Sequence, residues 1–169
     1  MMKNRFRATV GAIAGLCLFL GPGSAAHAQV QKEAAVANHA SGTFEVKLTP
    51  QGTADNAEGS TLARMSIDKQ FHGDLEGTSK GEMLSAGTSV KGSAGYVAIE
   101  RVSGTLKGKS GTFVLQHNGI MTRGEPQLTI TVVPDSGTGQ LAGLAGTMTI
   151  KIENGKHFYE LEYTLAPAP

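Results

Sequence analysis

The chain is poor in several things that would narrow its function. Its 169 residues include one cysteine, no tryptophan and only 5% aromatic residues. The lone cysteine, Cys17, sits in an N-terminal apolar run. Everything after it therefore lacks disulfides, thiol chemistry and cysteine-based metal sites. No second apolar run follows, and the first is too short to cross a bilayer, which argues against a membrane anchor. Positive charge is also scarce. The chain has 15 Lys+Arg against 14 Asp+Glu, and three of the basic residues (Lys3, Arg5 and Arg7) crowd the N-terminus. The remainder is slightly acidic, which argues against nucleic acid or an anionic membrane as partner. The isolated lysines further along read as solvated surface.

The N-terminus has the composition of a processing signal. A basic start is followed by the apolar stretch Ala8 to Leu20 and by Ala26-His27-Ala28, small residues at the two positions a signal peptidase reads. Cleavage is expected after Ala28. Cys17 lies inside the apolar run behind Leu16, where a lipoprotein would need a small residue. The expectation is a soluble, exported protein, periplasmic or secreted. Residues 29–39 are alanine-rich and polar and read as a flexible lead-in. Residues 40–165 suit one domain with a real core, and 166–169 form a proline-bearing tail that cannot join a sheet.

Within 40–165 the apolar pattern has period two almost throughout, broken by glycine, proline or Asp/Asn at strand-like intervals. Eight strands are predicted: Gly42–Leu48, Leu62–His72, Asp74–Leu84, Tyr96–Leu106, Gly111–Met121, Gln127–Val133, Gly146–Glu153 and His157–Leu165. No convincing helix or tandem repeat accompanies them. The fold class is all-β, an eight-stranded antiparallel barrel, with an open sandwich as the alternative; closure would protect the strand edges. Asn154-Gly155 is a preferred type I′ turn pair, and it sets Ile152 opposite His157, Ile150 opposite Tyr159 and Met148 opposite Leu161. In the central hairpin a turn at Gly108-Lys109 sets Glu100 opposite His117, Val102 opposite Leu115 and Arg101 opposite Gln116. The inner face then carries Tyr96, Ala98, Val102, Leu106, Phe113, Leu115 and Met121, with Glu100 and His117 among them. The outer face receives Val97, Ile99, Val114 and Ile120, aliphatic residues that ask for a cover such as a homo-oligomer contact.

Three segments carry a resemblance. They are Ile99-Glu100-Arg101-Val102-Ser103-Gly104-Thr105-Leu106, Ser110-Gly111-Thr112-Phe113-Val114-Leu115-Gln116-His117, and Ser136-Gly137-Thr138-Gly139-Gln140-Leu141-Ala142-Gly143-Leu144. In order and spacing they resemble a bacterial family known only as a domain of unknown function, grouped with allene-oxide-cyclase-like barrels. The Gly137-Thr138-Gly139 corner is also similar to plant dirigent proteins. The resemblance implies the barrel. It carries over no catalytic residue, and one barrel hosts many functions.

Glu100 and His117 are the candidate chemical pair, close enough across adjacent strands for a carboxylate to orient an imidazole. Acting on a small apolar ligand, such a pair could serve as general base or proton shuttle. The plainer reading, a satisfied core pair that fixes strand register, is preferred, because buried polar groups need partners whatever else they do. Tyr96, Val102, Phe113, Leu115 and Met121 are the candidate ligand-lining residues. His39, His72, His117 and His157 lack metal-ligand spacing, and no cofactor motif is present; His72-Gly73-Asp74 with Glu76 reads as a strand end and an acidic turn. The glycines at 137, 139, 143 and 146 lack the lysine and following helix of a phosphate loop. The leading function is a module that holds a small, mostly apolar molecule in the barrel, with few aromatics and 23 glycines leaving the interior incompletely filled. An isomerase or cyclase using Glu100 and His117 is the first alternative. A filled structural or protein-interaction barrel is the second.

Overall fold

A computed structural model describes residues 37–166. Residues 1–28, where a signal sequence is expected, most of the expected lead-in and the end of the tail lie outside the described residues. Nine strands run in chain order: β1 (Asn38–Pro50), β2 (Asp55–Ala57), β3 (Ser60–Gly73), β4 (Leu75–Thr88), β5 (Ala94–Leu106), β6 (Lys109–Thr122), β7 (Glu125–Val132), β8 (Leu144–Glu153) and β9 (Lys156–Leu165). A short 3-10 turn, Gly139–Leu141, lies between β7 and β8. Neighbouring strands pair antiparallel, and β1 pairs with both β9 and β3, so the eight long strands close into a barrel. The three-residue β2, which the period-two pattern missed, pairs only with β3. β1 begins at Asn38, inside the segment read as lead-in.

Turn chemistry sets the register. At Asn154-Gly155 both residues have positive φ (50° and 76°), and β8–β9 pairs as expected, Met148 with Leu161 and Ile150 with Tyr159. The central hairpin differs from expectation. Its turn is Lys107-Gly108, with φ of 46° and 82°, and Leu106 pairs with Lys109. Glycine takes the second turn position, as it does at Asn154-Gly155, and Lys107 accepts a left-handed conformation beside it. The ladder therefore slips by two residues. Glu100 stands opposite Leu115, His117 opposite Ala98, Val102 opposite Phe113, Arg101 opposite Val114, and Gln116 opposite Ile99. A slip of two keeps every side chain on its face, so the inside and outside of the wall remain as expected.

The barrel has unlike ends. At the end where β3 meets β4 and β5 meets β6, inward residues are sealed: Ala40, Phe71, Leu75, Leu106, Phe113 and Leu144 are at most 1% exposed. The glycine corner plugs this end. Leu141 is fully buried there, while Thr138 exchanges hydrogen bonds with Thr112 (2.8 Å to its carbonyl, 3.0 Å from its amide). At the opposite end burial fades along the same inward register. Leu48, Met121, Leu128 and Ile152 are 46%, 41%, 40% and 63% exposed, and Met65, Met83, Tyr96 and Ile150 are half-buried.

Candidate functional site: a buried lysine–glutamate–histidine cluster below an apolar mouth

Midway along β5, Glu100 points inward and is fully buried. β4 passes close beside it because Gly81 is its cross-strand partner; a Cβ on Gly81 would lie 2.6 Å from the Glu100 Cα. Three donors reach the carboxylate. Lys69 Nζ donates to Oε1 at 2.8 Å, Ser79 Oγ donates to Oε2 at 3.2 Å, and His117 Nε2 lies 3.2 Å from Oε1. Lys69, Ser79 and His117 are themselves 8%, 2% and 3% exposed. The Lys69 ammonium also sits over the rings of Phe44 and Phe71, 4.9 and 5.7 Å from their centroids.

The electrostatics follow from these contacts. Burial pushes the Glu100 carboxyl up, but the His117 hydrogen bond and the Lys69 charge outweigh it and hold the group below its ordinary value. Glu100 is thus an ionised acceptor, which places the Nε2 proton on His117. Lys69 and Glu100 cancel in charge, so a neutral imidazole keeps the buried cluster neutral, and a third charge would carry an uncompensated desolvation cost. The other ring nitrogen, Nδ1, is then a hydrogen-bond acceptor. It has no partner among the described residues, in which no sealed side-chain nitrogen or oxygen is left unpaired. Nδ1 therefore keeps contact with accessible space.

By register, Glu100 lies on the sealed-end side of His117 and Tyr96 on the mouth side. The Tyr96 ring centroid is 6.5 Å from that of His117, and its ring packs on Gly119, where a Cβ would lie 2.7 Å from Cδ1. Burial, and then the Glu100 charge, raise the Tyr96 phenol, which stays protonated. Of the other expected lining residues, Val102, Phe113 and Leu115 are at most 1% exposed and belong to the packed core below the cluster. Met121 lies at the rim, opposite Ala94 and 41% exposed.

Glu100 and His117 do meet, as a diagonal contact rather than directly opposite. Sequence reasoning missed Lys69 and Ser79 and assigned the lysines to the surface. The signal was present. Lys69 shares the inward parity of Ile67 and Phe71, and Ser79 that of Leu75 and Met83. His72 contacts Glu45 and Glu76 on the surface (3.2 and 3.4 Å), and the described residues hold no group of three side chains placed to bind a metal.

Outside the barrel, Leu62, Leu84, Val97, Ile99 and Ile120 form an exposed aliphatic wall, each at least half exposed. With Gln51, Thr53 and Asp55, four of them (Leu62, Leu84, Val97 and Ile120) line a groove of about 600 Å³.

Residues 40–163 match the model of the DUF3224 family, described as proteins of unknown function. Four solved chains are similar to this one. Among them is the crystal structure of a DUF3224 protein of unknown function from Shewanella oneidensis MR-1, 57% identical, covering 79% of this chain and 100% of its own, with a TM-score of 0.76. No curated protein matches.

Proposed function

The chain belongs to the DUF3224 family, and we propose that its barrel is an exported binding module that takes a small, mostly apolar molecule through the open end. One observation carries this reading. Large apolar side chains on the inward register (Leu48, Met121, Leu128 and Ile152) stay 40–63% exposed at one end, whereas their counterparts at the other end are sealed. A chain stabilised only by core packing gains nothing from leaving such side chains wet, since each would contribute about 1.5–3 kcal/mol if fully buried. The rim methionine Met121, with half-buried Met65 and Met83, suits a site that adapts to its occupant.

Native mass spectrometry of the protein purified from the compartment to which it is exported, paired with solvent extraction, tests the reading. A stoichiometric small molecule released on unfolding is expected. A bare chain, with no change on adding small aromatic or aliphatic probes, would overturn it.

The outer aliphatic wall favours a second role. Five exposed aliphatics in one face resemble the apolar centre of a homodimer interface, and a second copy of the chain covers them most simply. Sedimentation velocity across a concentration series tests this; a monomer at all concentrations would remove it.

A further inference from the structure

We infer that the ligand class is an apolar molecule bearing a hydroxyl group, and that His117 Nδ1 accepts the hydroxyl proton in a hydrogen bond. This rests on the binding reading above and makes it more specific.

The inference follows from how the cluster is wired. Glu100 is acceptor-only, and its three donors come from β3, β4 and β6. The shared Oε1 fixes His117 with its proton on Nε2, because a carboxylate cannot donate. An imidazole so fixed presents a lone pair on Nδ1. His117 is only 3% exposed, and that lone pair has no partner among the described residues. Nδ1 is not sealed, so this acceptor opens on accessible space and can take a hydrogen bond from a molecule held there. An apolar ether or hydrocarbon has no proton to offer. A carboxylate ligand would repel the lone pair and bring a second negative charge beside Glu100. A cationic group would add to a cluster already neutralised by Lys69. A neutral hydroxyl, phenolic or aliphatic, meets the requirement. Its own oxygen can in turn accept from the Tyr96 phenol, which stands on the mouth side of the imidazole and makes no hydrogen bond among the described residues. Ala98, opposite His117, keeps the neighbouring position small.

A matched probe pair gives the test. Para-cresol and 4-methylanisole differ by one methyl that replaces the hydroxyl proton, and each can be titrated into the isotope-labelled protein. Para-cresol is expected to bind about five- to tenfold more tightly, the share of one good hydrogen bond. In His117→Phe the difference should fall to about twofold or less. Because His117→Phe also takes a donor from buried Glu100, long-range nitrogen NMR of the wild-type imidazole gives an independent readout. Free protein should show Nε2 protonated and Nδ1 unprotonated, and para-cresol should move Nδ1 more than Nε2. Equal affinity for the two probes would overturn the hydroxyl assignment while leaving the binding module intact. An imidazole protonated at Nδ1 in the free protein would also overturn it. Binding of neither probe at millimolar concentration would overturn both.

Discussion

Removing the charge of Lys69 leaves Glu100 as a fully buried carboxylate held only by Ser79 and His117. Breaking one side of a buried ion pair costs about 3–5 kcal/mol, because the remaining charge stays desolvated. Lys69→Met keeps the stem and loses the ammonium. Glu100→Gln does the converse, stranding the ammonium between Phe44 and Phe71. Each single change should therefore cost about 3–5 kcal/mol, or about 10–20 °C in Tm for a domain of this size. The double variant should recover most of this, because it buries no net charge, the Gln oxygen can accept from His117, and its amide nitrogen can donate to the Ser79 hydroxyl. Its loss should be about 1–2 kcal/mol, a coupling of about 4 kcal/mol or more. Urea unfolding followed by circular dichroism, with unchanged m-values, measures all three. Additive losses in the double variant would refute a coupled buried pair. A loss below about 1 kcal/mol for Lys69→Met would show the ammonium to be solvated.

Three further outcomes follow from the same structure. Glu100 titrates below its ordinary 4.5 when folded, so its contribution is complete above pH 4.5 and lost as pH falls below that; Glu100→Gln should flatten the acid side of the stability curve, and an unchanged slope would contradict the assignment. Leu141→Ala should cost about 2–5 kcal/mol by opening a cavity in the plug, read by urea unfolding, and should leave ligand binding at the far end intact. Ile99→Lys on the outer wall should dissociate any dimer, read by sedimentation velocity, while changing monomer stability by about 0.5 kcal/mol or less.

How far the sequence could be read depended on which physical constraint acted. The β8–β9 register was legible because Asn154 and Gly155 both favour positive φ, and one pair fixes a whole ladder. In the β5–β6 hairpin the positive-φ partner of Gly108 is Lys107, a residue with no such preference, so the turn was placed one residue late and the ladder two residues off. Faces survived this error and partners did not. The meeting of Glu100 with His117 was foreseen because it depends on parity. Lys69 was not, because its partner lies 31 residues away and nothing local marks a lysine whose ammonium turns inward. Only its parity with Ile67 and Phe71 did so. The unlike barrel ends depend on where the Gly137–Leu141 corner folds back against β6, a tertiary contact that periodicity does not encode.

The most direct test of an apolar mouth above a buried cluster is methyl NMR with labelled methionine, leucine, valine and isoleucine, titrated with para-cresol. Signals from Met65, Met83 and Met121 should move together and saturate, while those of Leu84, Val97 and Ile120 on the outer wall stay in place. Shifts confined to the outer wall, or no saturable shift at the mouth, would contradict binding through the open end.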